Sequence, residues 1–254
     1  MSRIAVLQMN TGIDAGENAQ ALADSVGRAA GEGANMLFTP EMSGLLDRDR
    51  KRAASSIRRE DETEALAKVR DSAARAGVWV ALGSLAVRTE EGRWANRSFV
   101  IDPSGEITAR YDKIHMFDVD LASGESWRES NAYDAGSQVV TIENTPVGKL
   151  GLTVCYDIRF PCLFEALGNA RCDCIAIPAA FTVPTGHAHW HVLQRARAIE
   201  ASAFVVAAAQ VGQHEDGRET YGHSLVIEPW GEVMLDMGGE DAGLGFCDID
   251  LDRI

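Results

Sequence analysis

Residues 149–161 read Lys-Leu-Gly-Leu-Thr-Val-Cys-Tyr-Asp-Ile-Arg-Phe-Pro, and the chain is best read outward from them. Leu150 to Val154 is a run of apolar and β-branched residues, the pattern of a buried strand. Beyond it, Phe160, Leu163, Phe164 and Leu167 recur at helical spacing, with Pro161 at the start and Gly168 as a stop. Cys155 therefore falls on the turn between a strand's C-terminal end and a helix's N-terminus. In open α/β sheets that edge is where ligands bind. A helix start there offers unpaired N–H groups and partial positive charge, which favour a thiolate and an oxyanion. The bland reading is a small buried cysteine, the usual fate of the residue. Position alone does not choose between them.

Strands and helices alternate on both sides. Ile4 to Met9 reads as a buried strand and Asn18 to Ala30 as a helix, with Leu22, Val26, Ala29 and Ala30 inward and Gly31 and Gly33 ending it. Met36 to Phe38 is a strand that Thr39-Pro40 stops, delivering Glu41 onto a loop. Residues 47–59 read as a charged, solvated connection. Thr63 to Ala76 is helical, Val78 to Leu85 a strand, and Arg97 to Ile101 and Ile107 to Tyr111 are strands joined by Asp102-Pro-Ser-Gly105, a turn signal. Lys113 follows directly. Residues 123–136 form a long polar loop of the sort that is functional or disordered. After the Cys155 unit come a strand over Cys174 to Ile177 and a helix over His189 to Ala201, with Val192, Leu193, Ala196 and Ile199 inward. A strand over Phe204 to Ala209, a hairpin around Glu228-Pro-Trp-Gly231 and a closing strand over Leu244 to Ile249 follow. With no linker, repeat or low-complexity tract, residues 1–254 read as one α/β domain.

Composition narrows the partners. A 254-residue chain with 46% hydrophobic and 24% charged residues has the balance of a soluble globular protein with a sizeable core. Its 24 basic and 38 acidic residues give a net charge of −14 with no basic stripe, which argues against nucleic acid or an anionic membrane as partner. An anionic small substrate would need local arginines working against this field. The N-terminus lacks a signal-peptide h-region, and no run reaches transmembrane length. Five cysteines, odd in number and without repeated spacing, fit a reduced cytoplasmic location better than a disulfide framework.

Glu41, Lys113 and Cys155 sit where strands run out, and Glu129 lies in the long loop. Brought to one sheet edge, a thiol, a carboxylate and an ammonium supply the nucleophile, base and oxyanion donor of covalent acyl transfer. Taken singly, each has a dull reading as cap, surface charge or solvated loop residue. Other constellations fare worse. His187, His189 and His191 lie at a helix start, where only His187 and His191 share a face, and no His-Glu-x-x-His pattern is present, so no metal site is expected. Cys172-Arg-Cys174 has no second pair. Gly222-His-Ser-Leu-Val226 lacks the last glycine of a serine-hydrolase elbow, and Gly31-Glu-Gly33 follows a helix rather than a strand. Spacing leaves open a Cys–His mechanism using one of the six histidines.

Thr-Pro-Glu41, Tyr-Asp-Lys113-Ile-His-Met-Phe-Asp-Val and Leu-Thr-Val-Cys155-Tyr-Asp-Ile-Arg-Phe-Pro resemble, in order, the Glu, Lys and Cys motifs of the nitrilase (carbon–nitrogen hydrolase) superfamily. Residues 178–182, 185–190, 195–200, 221–224 and 229–231 look like its branch of deaminated-glutathione amidases and omega-amidases. The resemblance covers nearly the whole chain. It implies an α-β-β-α sandwich, dimerised or further assembled through helices, with no metal or organic cofactor. It implies a Cys155 thioester formed from a small carboxylate-bearing amide, with Glu41 as proton carrier and Lys113 and the Tyr156 N–H holding the oxyanion. A second glutamate falls at Glu129, with Glu125 as its rival. Glu41, acting as base, acid and base again, is expected to have a pKa raised by partial burial. Arg159 is the candidate carboxylate clamp against a purely structural role, Arg195 and Arg197 are expected to pack or pair, and Thr182 and Thr185 are candidate substrate contacts. The sequence stops at Ile254, where the resemblance implies a basic tail. The alternatives are an omega-amidase acting on 2-oxoglutaramate, an N-carbamoyl amino acid amidohydrolase, and, in a different class, a catalytically idle scaffold on the same fold.

Overall fold

A computed structural model describes residues 1–120, 124 and 126–254. Glu125, the rival of Glu129, lies outside the described residues, as does part of the expected loop over 123–136. Two sheets face each other. The first orders its strands Gly243–Ile249, Ser2–Gln8, Met36–Phe38, Trp79–Arg88, Trp94–Ile101 and Ile107–Asp112. The second orders Val233–Asp236, Leu225–Ile227, Phe204–Ala207, Cys174–Ala176, Gly148–Leu152 and Thr141–Thr145. Each has a parallel centre with antiparallel pairs on its flanks.

The period of two along a strand explains the layering. In Ser2–Gln8, Ile4 and Val6 point into the core shared with the second sheet, while Ala5 and Leu7 point the other way. The second set packs under the helices Ala15–Gly31 and Glu64–Ala76, through Leu22, Val26, Leu66 and Val69. Beyond the second sheet, Leu163, Phe164 and Leu167 of Pro161–Asn169 and Trp190 and Ala198 of Val183–Ala201 close the far side. The result is the α-β-β-α sandwich.

Several boundaries differ from the sequence reading. The first helix begins at Ala15 because Asp14 accepts from the N–H groups of Gly16 and Glu17. The connection over 47–59 is not wholly solvated: Arg50–Ala53 is a helical turn, and Ala53 and Ile57 are buried. The long helix starts at Val183 rather than His189 and turns another face inward. Trp190, Gln194, Arg197 and Ala198 are buried, while Val192 is 62% and Ile199 52% exposed. The buried polar side chains displaced the apolar stripe on which the expectation rested. Thr141–Thr145, a strand that carries no strong apolar alternation, was not anticipated. Among the described residues, no helix is long and apolar enough to cross a membrane.

Candidate active site

Three strand ends deliver the candidate groups to one place. Glu41 follows the Met36–Phe38 strand, Lys113 follows Ile107–Asp112, and Cys155 follows Gly148–Leu152 as the first residue of a 3-10 turn over Cys155–Arg159. Lys113 Nζ donates to Glu41 Oε1 at 3.0 Å and to Glu129 Oε2 at 2.9 Å. Cys155 lies close enough to Glu41 for each to act on the other's ionisation. Glu41 Oε2 accepts from the Ala180 N–H at 2.9 Å, and Glu129 Oε2 accepts from the Phe117 N–H at 2.7 Å. Lys113 and Glu41 are buried, so their charges stand in a medium where they act strongly on each other.

Asn96, which sequence reasoning missed, joins the two carboxylates. Its Nδ2 donates to Glu41 Oε1 at 2.9 Å and to Glu129 Oε1 at 3.1 Å. It sits fully buried in Trp94–Ile101, a strand the sequence reading began only at Arg97. An asparagine directly after Trp94-Ala95, in the interior of a strand, was the available signal.

The turn that carries Cys155 is braced from both sides. Cys155 has a φ of +50°, a left-handed conformation costly for a side chain with a Cβ, and its N–H donates to Pro178 O at 2.8 Å. Asp157, also missed, is fully buried. It accepts from the Val154 N–H (2.8 Å), the Tyr111 hydroxyl (2.7 Å) and the His115 N–H (3.0 Å). Arg197 donates twice to Ile158 O, at 2.8 and 2.7 Å, and its guanidinium stacks on Phe164. Arg195 donates to Gly231 O. Both arginines pack or pair, as the sequence reading expected.

Electrostatics set the resting protonation. Burial pushes Glu41 upward, but the Lys113 ammonium and hydrogen bonds from Cys155, Lys113 and Asn96 outweigh it, leaving the carboxyl below its ordinary value. The expected raised pKa is therefore corrected: the carboxyl is buried, yet the cation and hydrogen bonds beside it decide the sign. Burial pushes the Cys155 thiol well up, and the Glu41 charge adds to this against Lys113. Burial pulls Lys113 down, but Glu129 and Glu41 more than reverse it, so the ammonium persists. The resting arrangement is a carboxylate, a neutral thiol and a fixed cation.

These groups open onto a cleft of about 840 Å³ whose walls include Trp94, Phe117, Trp127 and Tyr133 and whose arginines are Arg48, Arg50, Arg128 and Arg218. Thr182 lines it, whereas Thr185 is engaged with Thr182 and does not. Arg159 does not line it either: its guanidinium meets His189 Nδ1 at 2.9 Å and lies 6.0 Å from the rings of Tyr156 and Phe181. The Tyr156 ring packs edge-on against Phe117 and Phe160, outside the cleft walls. The structure thus gathers Glu41, Lys113, Cys155, Glu129 and Thr182, and leaves Arg159, Thr185 and the Tyr156 side chain aside.

A profile of the carbon–nitrogen hydrolase family matches residues 3–254. A deaminated glutathione amidase of Yersinia enterocolitica is 39% identical over 236 residues, which is 92% of this chain and 82% of that protein. The crystal structure of the C. elegans NitFhit protein superposes with a TM-score of 0.91 at 35% identity, covering 99% of this chain but 61% of that longer one. An amidase from Nesterenkonia sp. AN1, in a variant carrying acrylamide added to its active-site cysteine, superposes with a TM-score of 0.84 at 25% identity, covering 100% of this chain and 95% of that one.

Proposed function

The chain belongs to the carbon–nitrogen hydrolase family, and from that premise we propose that it is a thiol amidohydrolase cleaving deaminated glutathione to a carboxylic acid and ammonia through a Cys155 thioester. The observation that carries the reading is the buried group in which Lys113 donates to Glu41 at 3.0 Å and to Glu129 at 2.9 Å, on the same cleft wall as Cys155.

The steps balance with the residues present. Glu41 takes the thiol proton as sulfur attacks the amide carbonyl, and the carbonyl electron pair moves onto oxygen, facing Lys113 Nζ and the Tyr156 N–H. Each such donor is worth about 2.7–4 kcal/mol. As Lys113 turns toward the oxyanion, its hold on the Glu41 charge weakens, so the carboxyl grips its new proton harder. That is how a carboxylate depressed at rest becomes an acid one step later. It gives the proton to nitrogen as the C–N bond breaks, and ammonia leaves. Water then loses a proton to Glu41 and attacks the thioester, and the C–S bond breaks with the proton returned to sulfur. Glu129 and Asn96 hold Lys113 and Glu41 in register throughout. The chain's own residues supply every proton carrier this cycle needs.

Substrate choice follows from the cleft. Arg128 pairs with Asp120 and Arg218 with Asp216, and Arg50 donates to Arg128 O, whereas the Arg48 guanidinium has no carboxylate partner among the described residues, although its backbone N–H donates to Asp216. We assign Arg48, in place of Arg159, to the substrate's far carboxylate. Relatives named deaminated glutathione amidase favour that substrate over 2-oxoglutaramate or an N-carbamoyl amino acid. A homodimer through the long helix, in the cytoplasm, completes the reading. Its support is the apolar surface of Val192, Ile199 and Trp230, the last 89% exposed, and five unpaired cysteines.

Ammonia release over a panel of these three amides tests the proposal. Deaminated glutathione should give the highest kcat/KM, and Arg48→Ala should raise KM about tenfold or more for carboxylate-bearing amides while sparing amides with a neutral tail. Cys155→Ala should abolish turnover without unfolding the protein. Negligible rates on all three amides would sink the substrate assignment, and turnover surviving Cys155→Ala would sink the mechanism.

A further inference from the structure

Away from the cleft, three side chains that the reaction does not use meet at the surface. His191 comes from the long helix, His223 from the loop between Glu219–Tyr221 and Leu225–Ile227, and Asp236 from the end of Val233–Asp236. His191 Nε2 lies 3.0 Å from Asp236 Oδ2, and His223 Nδ1 lies 2.9 and 3.1 Å from the two Asp236 oxygens. One ligand atom from each residue falls within 4.8 Å of the others. We propose that His191, His223 and Asp236 form a binding site for a divalent transition-metal ion of the zinc type.

The donor set fits that chemistry. Two imidazoles and a carboxylate suit zinc, cobalt or nickel and not the oxygen-seeking magnesium or calcium. Tetrahedral bonds of about 2.0–2.1 Å put neighbouring ligand atoms about 3.3 Å apart. The two spacings to Asp236 need open by only about 0.3–0.4 Å to seat the ion, and the two imidazole nitrogens, within 4.8 Å of each other, need close on it by a side-chain rotation. The side chains of His191 and Asp236 are 36% and 34% exposed, so an ion can enter and a water can complete the shell.

The ligands are also held in place. His223 has a φ of +52°, and its backbone is fixed by its N–H donating to Gly238 O at 2.7 Å and its carbonyl accepting from Trp190 Nε1 at 2.8 Å. Tyr221 stacks on the His223 ring at 4.5 Å and meets His191 edge-on at 6.0 Å. The Gly238 N–H orients Asp236. Such supporting bonds fix ring and carboxylate direction in metal sites. Because the three ligands lie on a helix, a loop and a strand, an ion would tie those elements together. Its role is structural, independent of the amidase reading.

The alternative is a plain hydrogen-bonded group in which each ring gives an N–H to Asp236. Titrating the chelator-treated full chain with Co(II) separates the two. The proposal expects one equivalent per chain with the intense visible absorption of tetrahedral cobalt, displaced by Zn(II), together with a zinc-dependent rise in unfolding temperature. His191→Gln and Asp236→Asn should each weaken binding at least about tenfold and remove the thermal shift. His223→Asn, a residue that tolerates positive φ, should do the same if either of the others fails to fold. Alkylating the thiols and Cys155→Ala should leave binding intact. No stoichiometric cobalt spectrum, binding that survives the ligand variants, or binding lost with the thiols would each overturn the proposal.

Discussion

Replacing Asn96 with alanine removes a clamp that touches both carboxylates of the site and does not line the cleft. Two hydrogen bonds to charged acceptors are worth about 1.5–3 kcal/mol each. Against this, Asn96 Oδ1 is buried without a partner, and its removal recovers a desolvation cost of about 1–3 kcal/mol. The net loss of stability is then between about 0 and 5 kcal/mol, read by urea unfolding. Catalysis should suffer more distinctively. Glu41 keeps Lys113 and the Ala180 N–H but loses lateral restraint, and a misplacement of about 1 Å costs about 100-fold. Ammonia-release assays should show kcat down by roughly that factor with KM nearly unchanged, since Asn96 makes no wall of the cleft. The Asn96 hydrogen bond favours the charged form of Glu41, so its loss raises the carboxyl pKa and moves the acid limb of kcat/KM to higher pH. A variant that loses stability yet keeps kcat and the acid limb would refute the positioning role.

Two further outcomes follow from the same contacts. In the unaltered enzyme the acid limb of kcat/KM should fall below pH 4.5, the ordinary glutamate value, because Glu41 is depressed in the free protein. The same shift contributes stability present above that value and lost as pH falls through the folded pKa, whereas the raised Lys113 contributes stability present below 10.5 and lost as pH climbs through its folded value. A limb above 4.5 in the free enzyme would contradict the Lys113-dominated electrostatics. Gly83→Ala should cost at least about 2–3 kcal/mol, because a Cβ there would lie 2.0 Å from Thr39 O and 2.5 Å from Pro40 O, the backbone that delivers Glu41. Stability and turnover should fall together; an unperturbed variant would mean the loop has slack the packing does not show.

Strand ends made Glu41, Lys113 and Cys155 legible, because a strand stop is a local signal and each residue follows one. The residues that hold them were not, for a common reason. Asp157 stands inside the stretch that drew attention to Cys155, but what gives it meaning is Tyr111 and His115, more than 40 positions away. Asn96 likewise acquires its role only when two loops close over its strand. The long helix shows the opposite failure: apolar periodicity pointed Val192 and Ile199 inward, while buried Arg197 and Gln194 fixed the true face. Arginine reads as surface until Ile158 O is seen needing two donors. His191 and His223, 32 residues apart and separated from Asp236 by a further strand, gave no spacing to recognise.

The charge count at the centre bears on direction of reaction as well as on binding. Glu41, Glu129 and Lys113 leave one negative charge in excess around Cys155, within a chain that is already −14 overall. Like charges about 4 Å apart repel by about 4 kcal/mol at an effective dielectric of about 20. An amide is neutral and enters without that penalty, whereas a carboxylate does not. On the proposed function, a substrate carrying both would seat its amide against Cys155 and its carboxylate toward the cleft arginines, where the Arg48 guanidinium has no ion-pair partner among the described residues. Hydrolysis then creates a second carboxylate where the amide had been, beside Glu41, and the repulsion that steered the substrate in now helps expel the product. On the proposed function, the negative background of the chain is compatible with an anionic substrate where the Arg48 guanidinium offsets Asp47, Asp49 and Glu219, which line the same cleft.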